Sequence, residues 1–332
     1  MKETGCCIQF PFFQDKDSCF DIGKEVAQMD GILPLWKPAG MTSHDCVFKI
    51  RKILKTKKAG HTGTLDPDVE GVLPICIGKA TKIAEYMTNA GKEYVGEATI
   101  GRSTATEDSS GETVAIKEVV PPIRREEILK VLASLTGRIR QTPPMFSAVK
   151  VKGKRLYEYA RQGIEVERPT REVQIYKLEL LDNRTVFEGP AVSFRFRAAC
   201  SKGTYIRTLA VMIGERLGYP AHMSQLTRTA AGGFTKAQCV SFEEIERRLE
   251  EQTIDKILFP LEAGLEHLPK WEISGTLAEK VRNGAVLEKD GQWENENGEK
   301  AVCFQQQVIA IYQVHPEKPH LIKPVKVIRN DF

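Results

Sequence analysis

The sequence predicts an α+β protein that ends in a small β-rich unit, and three observations carry that reading. Two segments, KEYVGEATIG and AVSFRFRAACS, alternate apolar and polar residues with the period of two that a half-buried strand requires. Others, such as RREEILKVLASLTG and KGTYIRTLAVMIGERLG, read as helices. After Pro269 the texture changes to short β-type runs, AVCF and VIAIYQV, set among Asn-Gly and Asp-Gly turn signals.

Taken in order, residues 1–28 share no pattern with the rest and read as an extension, disordered or preceding the true start, with Met29 a plausible first residue. Ser43 is expected to cap a helix over about 44–55, in which Val47, Ile50 and Leu54 have helical spacing. A glycine-punctuated loop, GHTGTLDPDVEGVLP, comes next, and then a helix from Ala80 to Asn89. In the first alternating strand Tyr94, Gly96, Ala98 and Ile100 share a face. A helix over 124–137 leads to a proline-marked loop, a Val-Lys-Gly-Lys hairpin and a short helix stopped by Gly163. Val192, Phe194, Phe196, Ala198 and Cys200 line one face of the second strand, and the helix after it ends at Gly218. Ser241 and Glu244 form the signature of a capping box for a helix to about 250. The expected units are the extension, a main domain over 29–271 and a β-rich domain over 272–332.

The totals exclude several classes. No apolar run approaches the roughly 18 residues needed to span a bilayer, and the acids in the first segment do not suit a secretory signal, so a cytoplasmic protein is expected. Eight cysteines form no CxxC pair and no ligand cluster with the histidines, so no metal is expected and the thiols read as reduced core filler. Net charge is only +4, yet Lys49 to Lys58 is a dense basic block, readable as a solvated helix face or as an RNA contact.

Within GHTGTLDPDVEGVLP, Gly60, Gly63 and Gly71 allow close backbone approach or positive φ, and Pro67 biases Asp66 away from helix. Asp66 is therefore presented by a shaped loop. Taken alone, an Asp-Pro pair reads equally as an Asx turn bonded to its own backbone.

That loop, together with LWKPAGMTS (35–43), Lys92-Glu-Tyr94, GTYIR (203–207) and HMSQLTR (222–228), resembles in order and spacing the motifs of the TruB family of tRNA pseudouridine synthases. The resemblance covers almost everything after residue 29. It implies the pseudouridine synthase fold, a mixed and largely antiparallel bent sheet with flanking helices and an RNA cleft across its face, followed by a PUA-like domain. It implies isomerisation of the T-loop uridine at position 55 of tRNA, without cofactor or metal. The implied partner is the T-arm of tRNA, with no membrane and no obligate protein partner, and a monomer is expected.

By the same resemblance Asp66 matches the catalytic carboxylate, Arg207 its cationic partner and Tyr94 the residue that stacks on the flipped uracil. His61 matches the side chain that fills the space left by the flipped base, and Tyr205 and Leu226 match pocket-lining positions. Lys82 falls in a phosphate-contact region, and Lys37 reads as structural or phosphate-facing. The chemistry suits these residue types. A hydrolytic glycosidase generally pairs two carboxylates, whereas here the leaving base is retained and one suffices. That carboxylate has to stay ionised in a dry pocket, which a guanidinium supports. Two rival classes fit less well: an RNA-binding protein without turnover needs no Asp66–Arg207 pair, and a zinc deaminase needs HxE and PCxxC patterns that are absent.

Overall fold

The computed structural model describes residues 29–293 and 298–331, so the expectation for residues 1–28 lies outside the described residues. Its framework is a single large sheet. Strands β1 (Gly31–Lys37), β2 (Ala59–His61), β3 (Glu70–Ile77), β4 (Lys92–Ile100), β5 (Gly137–Gln141), β6 (Arg171–Leu180), β7 (Val192–Cys200) and β8 (Ala221–Ala231) run in the order β1-β3-β8-β4-β7-β6-β5, with β2 on β3. All of these pairs are antiparallel except β3 with β8, which is parallel. The helices are α1 (Ser43–Ile53), α2 (Ala84–Asn89), α3 (Arg125–Ser134), α4 (Leu156–Arg161), α5 (Ile206–Leu217), α6 (Phe242–Glu250) and α7 (Gly275–Arg282).

The two alternating segments form the adjacent strands β4 and β7, and Ala98, Ile100, Phe194, Phe196 and Ala198 go into one core with Leu209 and Ile213 of α5. Burial of this apolar set drives the sheet and helix together. On the opposite flank Val47, Ile50 and Leu54 pack on Leu33, Leu35, Leu73 and Ile75, as their helical spacing requires. Helix α5 ends at Gly218, whose φ of 83° is left-handed. In the hairpin over 150–155, Lys152 and Gly153 have φ of 48° and 86°, the type I′ geometry that suits strand twist.

Three local expectations need correction. Thr42, not Ser43, caps α1, because Thr42 and Asp45 bond reciprocally in a capping box; Ser43 is the first helical residue and its hydroxyl is free for another task. The expected helix over 80–89 begins as a 3-10 segment, Gly78–Ile83, and becomes α-helical only at Ala84. The capping box of α6 is half formed: Ser241 accepts the Glu244 N–H, but the Glu244 carboxylate is taken by Arg247 and Arg248.

A second, five-stranded sheet starts at Lys270–Glu272 and includes Lys300–Phe304, Gln307–Val314 and Leu321–Val327, with Trp271, Trp293 and Tyr312 in its own core. Ala301, Cys303, Val308, Ile311 and Ile328 share a cluster with Ile32, Val72 and Cys76, so an apolar seam joins the sheets. Cys46, Cys76, Cys200 and Cys303 are buried free thiols.

Candidate active site

Asp66 sits in the connection between β2 and β3, where the Val69 N–H donates to the Asp66 carbonyl at 3.1 Å and closes a turn over Pro67-Asp68. Its carboxylate turns to Arg207 and not to its own backbone. The Arg207 Nε lies 3.1 Å from Asp66 Oδ2, and a terminal nitrogen lies 3.4 Å from Oδ1. Arg207 stands in the first turn of α5 and is itself fixed, donating to the carbonyls of Thr106 at 3.0 Å and Phe146 at 2.9 Å. The guanidinium side chain is 5% exposed and the carboxylate 42%, so a buried cation holds a carboxylate that still faces outward.

Burial pushes the Asp66 carboxyl up from its ordinary value, the Arg207 guanidinium pulls it back down, and the Asp108 carboxylate adds to the rise. Asp108 lies 3.6 Å from Arg207 and accepts hydrogen bonds from the Thr106 and Ser110 hydroxyls, each at 2.6 Å. Arg207 therefore serves two carboxylates. The sequence reading missed Asp108; its only signal was an aspartate flanked by hydroxyl residues in TATEDSS.

The loop carrying Asp66 is held from three sides. The Ser43 hydroxyl accepts the Leu65 N–H at 2.8 Å, immediately before Asp66. The Lys37 ammonium, 0% exposed, donates to the carbonyls of Pro38, Pro67 and Val69, each at 2.8 Å. All three of its N–H bonds are committed inside the fold, so of the two readings of Lys37, structural or phosphate-facing, the structure fits the first and not the second. Arg228, also 0% exposed, donates to the Val72 carbonyl at 2.7 Å, to Gly63 at 3.2 Å and to Thr64 at 3.4 Å. The sequence reading quoted Arg228 within a motif but assigned it no role.

Strand register explains how Arg228 gets there. The parallel pairing of β8 with β3 sets Arg228 beside Gly71, and the antiparallel pairing with β4 sets it beside Tyr94. A Cβ at Gly71 would stand 2.2 Å from the Arg228 carbonyl, and its φ is 134°, so only glycine fits. Tyr94 is 7% exposed and shares a core cluster with Leu65 and Val69, which flank the Asp66 turn. Burial pushes its phenol up, against the pull of the Arg228 cation.

His61, at the end of β2, is half-buried, and its Nδ1 accepts the Gly63 N–H at 3.2 Å. Burial, with Arg228 next, pushes its imidazole down, which favours the neutral form. Tyr205 caps α5 and is clamped through its backbone by Gln141, whose Oε1 accepts the Tyr205 N–H at 3.0 Å while its Nε2 donates to the Tyr205 carbonyl at 3.2 Å. Leu226 packs on the main core beside Gly96. Asp66, Arg207, Tyr94, His61, Tyr205 and Leu226 thus gather around one loop and the strands behind it. Lys82 does not join them, because its ammonium donates to the Val327 and Ile328 carbonyls at 3.1 and 2.9 Å, at the junction with the second sheet.

Comparison with known proteins decides the family. Residues 51–206 match the model described as TruB family pseudouridylate synthase (N terminal domain), and residues 207–266 match the tRNA pseudouridylate synthase B C-terminal domain. The chain belongs to the TruB family. It is 60% identical over 302 residues to the tRNA pseudouridine synthase B of Geobacillus thermodenitrificans, covering 91% of this chain and 100% of that protein. It is 58% identical over 301 residues to the one from Listeria innocua, covering 90% and 98%. Among solved structures, one described as a Cbf5-Nop10-Gar1 complex is similar at 28% identity and a TM-score of 0.70, covering 93% of this chain and 87% of that one. Another, an H/ACA RNP bound to a substrate RNA containing 2'-deoxyuridine, matches at 25% identity and a TM-score of 0.68, covering 93% and 88%. The two TruB models meet between Ile206 and Arg207, so the Asp66–Arg207 pair spans both matched segments. A pseudouridine synthase is an isomerase, and a TruB site must therefore break one glycosidic bond and make another in the same nucleotide.

Proposed function

We propose that this chain converts the T-loop uridine at position 55 of tRNA to pseudouridine, with Asp66 as the catalytic carboxylate. The observation that carries the assignment is the outward-facing Asp66 carboxylate gripped by the buried Arg207, in a chain of this family. The reaction breaks C1′–N1, turns the detached uracil and joins C5 to C1′; the proton lost from C5 is balanced by one gained at N1. The composition of the nucleotide is unchanged and no redox change occurs, so the isomerisation calls for no cofactor. Attack on the sugar and removal of the C2′ proton are the two routes open to a single carboxylate, and both need it ionised, which is what Arg207 favours.

The target nucleotide has to leave the folded RNA to be reached. In this reading Tyr94 stacks on the flipped uracil and accepts the C5 proton, His61 fills the vacated space, and Tyr205 and Leu226 line the pocket. Lys82 keeps its bonds to the second sheet but is exposed at the junction, where its charge attracts the RNA backbone. Residues 29–271 form the catalytic domain and 272–332 a PUA-like domain for RNA contact. In this reading the protein acts as a monomer. It works in the cytoplasm, in keeping with the finding that no helix among the described residues is long and apolar enough to cross a membrane.

The test is incubation of the purified protein with unmodified T-arm RNA, reading pseudouridine at each position. Product at the single T-loop position is expected; no product would overturn the proposal. The role of Tyr94 is separable: Tyr94→Phe keeps the stacking face but should slow single-turnover formation by at least about a hundredfold. A rate within about threefold of wild type would reduce Tyr94 to a stacking platform.

A further inference from the structure

The first turn of α1 is bound to the Asp66 loop through Ser43, and the opposite, exposed side of that helix carries a pattern the proposed reaction does not use. His44, Phe48 and Lys52 succeed one another at four-residue spacing and are all exposed, which places them in one stripe. Phe48 is 67% exposed, whereas Phe242, on the helix packed against α1, is 4% exposed. Beyond the helix end Lys55, Lys57 and Lys58 are exposed as well.

The basic residues nearby fall into two groups. Lys49 lies over the Phe242 ring at 4.2 Å, and Arg51 donates to the Ala59 carbonyl at 2.6 Å, so both are spent on the fold. The ammonium groups of Lys52, Lys55, Lys57 and Lys58 have no ion-pair partner among the described residues. Asp45, the acid nearest the start of the stripe, is occupied by the Thr42 cap. A lone exposed aromatic ring among unneutralised cations matches a polyanion that also offers flat π-faces, the chemistry of unpaired RNA.

We propose that Phe48 stacks on an unpaired nucleobase of the substrate RNA while His44, Lys52 and Lys55 face the flanking phosphates. The stripe starts at the catalytic loop and extends along a helix about 16 Å long. It therefore engages nucleotides beyond the one that reacts. The inference rests on the reading that this chain acts on RNA.

Fluorescence anisotropy with unmodified tRNA transcript tests it, alongside pseudouridine formation by the wild-type protein on the same RNA. Phe48→Ala should weaken binding by about five- to a hundredfold, Phe48→Leu nearly as much, and Phe48→Tyr should restore it, because stacking needs the ring and not merely apolar bulk. Melting temperature should be unchanged for all three. Affinity within about twofold of wild type for Phe48→Ala, or full affinity for Phe48→Leu, would overturn the stacking contact. A fall in melting temperature with unchanged RNA affinity would do the same, showing that the ring packs on protein. Wild-type protein that forms no pseudouridine would instead count against the proposed reaction, which separates the two failures.

Discussion

The Asp66 loop and helix α1 are neighbours joined through Ser43 and Leu65, and they use the same kind of side chain in opposite ways. Around the loop, Lys37 and Arg228 are fully buried, and each donates three hydrogen bonds to backbone carbonyls. At the end of α1 and just beyond it, Lys52 and Lys55 are exposed, with no ion-pair partner among the described residues. A buried cation tolerates desolvation only when its donors are satisfied, so it becomes scaffold; an exposed one keeps its charge for a ligand. Arg207 stands between the two regimes, buried like the first group but aimed at a carboxylate that faces out.

The largest effect expected is at the carboxylate that the scaffold presents. Asp66→Asn keeps the shape of the side chain but can serve neither as nucleophile nor as base, so turnover should vanish while tRNA affinity stays within about tenfold. Activity near wild type in a single-turnover assay would remove Asp66 from its role. Next comes the scaffold itself: Lys37→Met strands three carbonyls and should cost roughly 1 to 3 kcal/mol of stability in urea unfolding, together with most of the activity. Unchanged stability would show that those carbonyls find other donors.

A smaller effect, of defined sign, is expected at the intermediate case. Arg207→Gln removes the cation that opposes the effect of burial on Asp66, so the carboxyl should rise further and protonation should persist to higher pH. The acid limb of the kcat/KM profile should then move to higher pH. A limb that stays in place would mean that Arg207 positions Asp66 without tuning it. The smallest change lies on the open side: Lys55→Gln should leave stability within about 0.5 kcal/mol and lower the log-log salt slope of tRNA binding by about one. A slope that does not move would return Lys55 to a merely solvated face.

The difference between the regions also marks what could be read without coordinates. The basic block from Lys49 to Lys58 was legible as a candidate, but its division into committed and open residues was not, because Lys49 and Arg51 are engaged by Phe242 and Ala59 through tertiary packing. Ser43 looked like a helix cap, since it precedes the apolar pattern as well as Thr42 does. The local Thr42–Asp45 capping box settles the cap, and the approach of Leu65 gives the Ser43 hydroxyl its own partner.

By itself the sequence determined the strands β4 and β7, helix α5 with its glycine stop, the change of texture near residue 270 and the ordered motifs that carry the family. Those are properties of local periodicity and of residue type, which the chain states directly. The tertiary structure alone decided that Lys37 is interior, that Arg228 links Gly63, Thr64 and Val72, that Asp108 shares Arg207 with Asp66, and that Lys82 faces the second sheet. Each of these depends on which carbonyl or carboxylate comes within about 3 Å of a cation far away in the chain. For Arg228, strand register sets that distance through the parallel pairing of β3 with β8, which no local pattern encodes.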